Sequence, residues 1–230
     1  MAKKDNTEDK IVAVEEALGR TEQFIETNQK YIMIVLAAII LVVLGYLGYT
    51  KLYIAPREAK AQSEVFMAEK YFESDSLDLA LNGDGNYMGF LEIIDNYGST
   101  KTGNLANYYA GMCYLKKGEF QQAIKYLEDF SSDELMVSSM ATGAMGDAYL
   151  ELGNNEKAIS CYTKAAENKP NEFTSPVFYM KAGLTYELKG DFDNALKMYE
   201  TIKTKYPRSL EGRDIEKYIV KATELSTSKN

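Results

Sequence analysis

No histidine occurs anywhere in this 230-residue chain. That one absence removes serine–histidine and cysteine–histidine nucleophile activation, histidine metal sites and the usual near-neutral proton shuttle. Cysteine is almost as scarce. Cys113 and Cys161 stand 48 residues apart, each inside a helical pattern and without CxxC spacing. They read as small apolar residues, although a disulfide stays open in an oxidising compartment. No glycine-rich phosphate loop, HExxH pair or EF-hand loop is present. Acidic pairs such as Asp191 and Asp193 fall at a helix–helix turn, where capping explains them. No catalytic, metal or cofactor-binding residue is expected, and the chain reads as a non-enzyme. With 34 Asp and Glu against 26 Lys and Arg, it also lacks the basic footprint that nucleic acid requires.

What is present is a long apolar run. Twenty residues from Tyr31 to Thr50, YIMIVLAAIILVVLGYLGYT, carry no charge. As a helix they rise roughly 30 Å, the thickness of a bilayer's hydrocarbon core. A cleaved signal peptide would have a shorter apolar region, ~7–15 residues, ending in a small-x-small site. The run instead leaves through Gly45-Tyr46-Leu47-Gly48-Tyr49. The expectation is a retained single span, residues 31–50, with Tyr31, Tyr46, Tyr49 and Tyr53 in the interfacial aromatic belts. Flanking cations are balanced, so orientation follows only the general preference of a short leading tail for the cytoplasm. Residues 1–30 carry Ile11, Val14, Leu18 and Ile25 near helical spacing, with Glu15, Glu16, Glu22 and Glu26 elsewhere. Such an acidic amphipathic helix is unsuited to lying on lipid. It either docks on a partner's helix or extends the anchor into solvent.

After a short junction at 51–56 containing Pro56, three segments share one register. The first has Gly111, Tyr114, Gly118, Ala123, Leu127 and Phe130. The second has Gly146, Tyr149, Gly153, Ala158, Tyr162, Ala165 and Pro170. The third has Gly183, Tyr186, Gly190, Ala195, Tyr199, Ile202 and Pro207. Small residues at the first glycine and twelve positions later let two antiparallel helices cross closely, with bulky residues at +3 and +16 beside the contact. Glycine at +7 suits the left-handed turn past a helix end, and proline at +24 stops the second helix. The pattern resembles the tetratricopeptide repeat (TPR), a helix–turn–helix unit of about 34 residues. The resemblance covers 104–207. It departs from the consensus at the position of the usual aromatic before the first glycine, where Asn107, Thr142 and Tyr179 stand, and where Leu135 takes the place of the first closing proline.

The fold expectation is all-α: one N-terminal span followed by a TPR-type solenoid. Residues 57–103 read as a helix with Phe66, Tyr71 and Phe72, then a degenerate unit split by Asn82-Gly-Asp-Gly-Asn86. Ser209 is expected to cap a closing helix within 208–226, leaving 227–230 frayed. The TPR resemblance implies a concave groove lined by Leu105, Tyr108, Met112 and Leu115, then Met140, Asp147 and Leu150, then Val177, Met180, Leu184 and Leu188. The alternative is that these side chains pack on the adjoining repeat. The basic-and-Asn clamp by which some TPRs hold carboxyl-terminal peptides is missing, since Tyr108, Met112, Gly143 and Asp147 hold its places.

A short acidic tail, one span and a TPR ectodomain resemble the YfgM-type ancillary subunit of the bacterial SecYEG translocon. The segments KAQSEVFMAEKYFESDSLDLALNGDGNYMGF and NLANYYAGMCYLKKGEF are similar to anchored repeat proteins of Bacteroidota. The resemblance implies an inner-membrane protein with a cytoplasmic N-terminus and a periplasmic repeat domain. Its implied partners are the translocon, a periplasmic chaperone or prolyl isomerase, and exported unfolded chains. The other readings are a scaffold for a different envelope complex and a cytosol-facing membrane adaptor.

Overall fold

The computed structural model describes the backbone of residues 5–229 and the side chains of residues 22–228. The chain divides into two compact units, residues 1–56 and 57–230. The first unit is α1 (Asp5–Gly48), unbroken through the apolar run, followed by a π-helical turn at Tyr49–Ile54. None of the described side chains of α1 is buried, and its apolar window has a mean hydropathy of 2.7. One helix is thus long and apolar enough to cross a membrane. The amphipathic faces assigned to Ile11, Val14 and Leu18 lie outside the described side chains.

The 51–56 junction is helical rather than a break. Pro56 sits in the first turn of α2 (Ala55–Glu73), where a missing N–H is tolerated. The wider π-turn just before it makes room for the proline ring against the carbonyl four residues back.

The second unit continues with α3 (Leu77–Asn82), α4 (Phe90–Tyr97), α5 (Lys101–Lys116), α6 (Phe120–Asp129), α7 (Leu135–Glu151), α8 (Asn155–Glu167), α9 (Ser175–Leu188) and α10 (Phe192–Lys205). The pairs α5–α6, α7–α8 and α9–α10 are the three repeats, each helix packed on the next in sequence. Glycine is what lets each corner turn. Gly118, Gly153 and Gly190 have φ of +78°, +73° and +72°, in the left-handed region. The N–H of the residue after each glycine donates to the carbonyl of Tyr114, Tyr149 or Tyr186, and the glycine's own N–H to Leu115, Leu150 or Glu187. Both bonds together make a Schellman motif. In the last two repeats the residue after the glycine, Asn154 or Asp191, also caps the following helix through its side chain.

The register glycines mark equivalent crossings. A methyl group on Gly111 would fall 2.6 Å from Leu127 Cγ, and on Gly146 2.6 Å from the Tyr162 ring; on Gly183 it would overlap the Tyr199 ring. The +16 side chain therefore lies directly over the glycine, not merely beside the crossing. Ala123, Ala158 and Ala195 at +12 are fully buried, as are Tyr162 and Tyr199.

Ahead of the repeats, Ala61, Val65 and Ala68 of α2 share a core with Phe90, Ile93 and Ala106. Phe90 and Tyr109 stack at 5.1 Å, with Phe72 edge-on at 5.3 Å. Glu58 of α2 accepts hydrogen bonds from Thr102 N (3.2 Å) and Oγ1 (2.9 Å), while Thr100 caps the same helix start through Gly103 N. Burial opposes ionisation of Glu58, but these bonds and one from Gln62 outweigh it and hold the carboxyl below its ordinary range.

The closing helix departs from its expected form. Ser209 caps only the single turn α11 (Leu210–Arg213), the chain breaks helical geometry at Asp214, and α12 (Ile215–Lys229) follows. Gly212 is demanded by a close approach, since a methyl group there would overlap the Tyr206 carbonyl. α12 then packs Ile215 and Ala222 into the α9–α10 core and remains helical through Lys229, past the 226 limit expected for it and through the tail expected to fray.

Candidate protein-binding groove

Helices α5, α7 and α9 each present side chains to one pocket of about 310 Å³. From α5 come Tyr108 and Met112; from α7, Met140, Ala144 and Asp147; from α9 and the loop before it, Phe173, Val177, Phe178 and Lys181. Five of the eleven residues assigned to the groove thus meet in one place: Tyr108, Met112, Met140, Asp147 and Val177. The other six do not line it. Leu105 is half-buried, and Leu115 packs beside Ala123, Leu127 and Ala148. Leu150 and Met180 pack against the core between α8 and α10. Leu184 and Leu188 are exposed further along α9. The alternative of packing on an adjoining repeat thus describes Leu115, Leu150 and Met180.

One polar cluster interrupts the apolar wall. Asp147 accepts from Tyr162 Oη at 2.7 Å and from Lys181 Nζ at 2.7 and 2.8 Å. Burial first, and the adjacent carboxylate second, push the Tyr162 phenol well above its usual range. The hydroxyl is thereby kept as a donor, and the Lys181 ammonium is paired with the carboxylate. The arrangement recurs one repeat later: Glu187 accepts from Tyr199 Oη at 3.0 Å and Lys221 Nζ at 2.6 Å. In both bridges the lysine lies 34 residues beyond its acid, one repeat length. Each bridge ties a first helix to its own second helix and to the next helix in the array. The first repeat has Leu127 in place of the tyrosine.

Phe173 is the residue that periodicity could not find. It is 73% exposed, in the α8–α9 loop rather than on a helix. Asn171 Oδ1 accepts from Phe173 N at 2.9 Å and Thr174 N at 2.8 Å, while its amide donates to Thr174 Oγ1. Ser175 Oγ donates to the Ala166 carbonyl. This Asx turn holds the loop and fixes an aromatic ring at the mouth of the groove. Its signal in the sequence is an aromatic inside an Asn-x-x-Thr-Ser-Pro helix start. Gly143, one of the positions at which the clamp is missing, is demanded by packing, since a methyl there would overlap the Phe178 ring.

A larger cleft of about 580 Å³ lies between α6, α7 and α8. Its wall mixes Leu127, Phe130, Ala141, Met145 and Tyr149 with the hydroxyls of Ser131, Ser138, Thr142 and Ser160 and with Glu128, Lys157 and Lys164, so it is more polar than the groove although it is not without apolar surface. Cys161 lies on that cleft, half-buried, and burial raises its thiol. Cys113 is fully buried and pushed up to about 12. Both are free thiols of low nucleophilic character.

Residues 143–172 match one tetratricopeptide-repeat family model, and 105–133 and 178–209 match another. Each of these three segments matches the tetratricopeptide repeat, and together they cover less than half of the chain. They fall on α5–α6, α7–α8 and α9–α10, the middle match beginning within α7. A TPR repeat-containing protein of Methanocaldococcus jannaschii, MJ1428, is 23% identical over 158 residues, 68% of this chain. The chain spans only 27% of that protein's length. The crystal structure of MamA superposes with a TM-score of 0.52 at 20% identity, covering 74% of this chain and 93% of MamA. The nearly identical TPR-like repeats of a Podospora anserina protein described as a kinesin light chain give 0.54 at 11% identity, covering 74% and 88%. At these identities the two structures establish the TPR-type solenoid fold and nothing more.

Proposed function

We propose that this chain is a non-enzymatic, single-pass membrane protein whose TPR groove receives extended apolar polypeptide. In the fuller reading it is an inner-membrane accessory of the Sec translocon, with a cytoplasmic N-terminus and a periplasmic repeat domain. That domain would meet exported chains beside a chaperone or prolyl isomerase. The supporting observation is the groove itself. Exposed Met140 and Phe173 stand over an apolar floor, and the one cation in the lining, Lys181, is already paired. Such a site favours adaptable apolar contact over carboxylate capture. Residues 31–50 serve as the membrane anchor.

Mild-detergent affinity purification of the full chain tests the fuller reading. Near-stoichiometric translocon subunits are expected; a different envelope complex in their place would make this a scaffold for that assembly. Protease accessibility in intact spheroplasts tests orientation, since a protected repeat domain would make it a cytosol-facing adaptor.

A further inference from the structure

The groove does not end at Phe173. Phe173 and Val177, which wall its α9 side, also wall a second cleft of about 490 Å³ between the start of α9 and α11. Across that cleft stands Leu210, 75% exposed. Neither exposed side chain sits on a loose loop. The Asx turn at Asn171 holds Phe173. The turn carrying Leu210 is closed by Ser209, whose Oγ donates to the Tyr206 carbonyl and accepts from Gly212 N, both at 2.9 Å. Two large apolar residues are thus held out from the core, on separate hydrogen-bonded turns, along one cleft.

The charges around the cleft select what covers it. Arg208 and Arg213 line it together with Glu172 and Glu211, and among the described residues no ion pair engages any of the four. With two charges of each sign, the cleft has no net pull on a phosphate, a lipid headgroup or a terminal carboxylate. Unpaired donors and acceptors beside an apolar strip instead complement a peptide main chain, which offers an N–H and a C=O at nearly every residue. An extended chain also turns alternate side chains the same way, roughly 7 Å apart. That spacing suits two cavities that share a wall.

We propose that one extended polypeptide occupies both clefts, straddling the Phe173 ring. It places an apolar side chain in each cleft and pairs its main chain with the charged residues around the second. Given the groove as an apolar-peptide site, on which this assignment rests, the substrate narrows to segments carrying two closely spaced apolar clusters. Phe173 is the ridge that both clusters touch, and Leu210 is touched by the second alone.

The test uses the full chain in lipid nanodiscs and two fluorescein-labelled peptides read by anisotropy, with empty nanodiscs subtracted. One peptide carries a single Leu-Phe-Leu triplet between Gly-Ser flanks; the other carries two such triplets separated by Ser-Gly. The two-triplet probe is expected to bind about ten-fold more tightly or better. Leu210→Ser should remove most of that advantage and leave the single-triplet probe within about two-fold, whereas Met140→Ser should weaken both. Leu210 and Met140 are exposed, so both variants should keep the circular dichroism of the unmodified chain. If Met140→Ser weakens both probes while Leu210→Ser weakens neither, the second cleft is unused and the groove stands as a single site. If Met140→Ser leaves both probes unchanged, the groove is not the binding site and the two-cleft assignment falls with it. Added salt should change the affinity of the two-triplet probe by less than about three-fold. A larger loss would assign Arg208 and Arg213 to an anion and overturn the main-chain pairing.

Discussion

At the scale of single residues, the repeats depend on small side chains under large ones. Gly183 lies beneath the Tyr199 ring and Gly143 beneath Phe178. Overpacking a well-filled core costs about 1–3 kcal/mol, so Gly183→Ala and Gly143→Ala should each lower the urea midpoint, with the m-value unchanged. A loss of less than a few tenths of a kcal/mol would mean the rings shift freely. Asp147→Ala should cost about 1–3 kcal/mol, because it strands the buried Tyr162 hydroxyl. Double-mutant cycles with Tyr162→Phe should recover most of that loss. Thiol accessibility gives a further check: a maleimide at neutral pH should leave Cys113 unlabelled in the folded chain and reach it only on unfolding.

At the scale of elements, the first turn of α2 and the start of α5 are joined through Glu58 and Thr102. The folded carboxyl titrates below its unfolded value. Its contribution is therefore fully present above the unfolded pKa of about 4.5 and is lost as pH falls through the folded value. Glu58→Gln should flatten the acid limb of the stability curve below about pH 4.5 and leave neutral stability less affected. The helices themselves were legible because glycine, tyrosine and alanine recur in one register and each spacing has a steric cause. The corner glycines could be assigned a left-handed turn from their +7 offset alone. Groove membership was legible only in part. Helical spacing says that Leu115, Leu150 and Met180 share a face with Met112 and Val177, but not how far an adjoining helix covers that face. Phe173 escapes the repeat period because a hydrogen-bonded loop presents it, and only the Asn-x-x-Thr-Ser-Pro helix start around it gives it away. The break at Asp214 has no counterpart in the sequence pattern, because Ser209 offers a cap but nothing in the spacing of Ile215, Tyr218 and Ile219 marks where a first turn would stop.

At the scale of the whole molecule, binding should be separable from stability, because the mouth of the groove is built from exposed side chains. Phe173→Ser and Met140→Ser together should weaken binding of an extended apolar peptide at least ten-fold, measured by fluorescence anisotropy, while moving Tm by no more than a degree or two. Unchanged affinity would remove the groove from the proposed function. The corner geometry has a separate consequence for how the domain comes into being. Every bond that closes a Schellman turn joins residues at most five apart in sequence, and each repeat stacks on its chain neighbours. The turn of a hairpin therefore needs nothing downstream to close, while its open face is covered by the repeat that follows. Threaded through a pore or released by a ribosome from its first residue onward, the array can set one module at a time, each finished module serving as the template on which the next condenses.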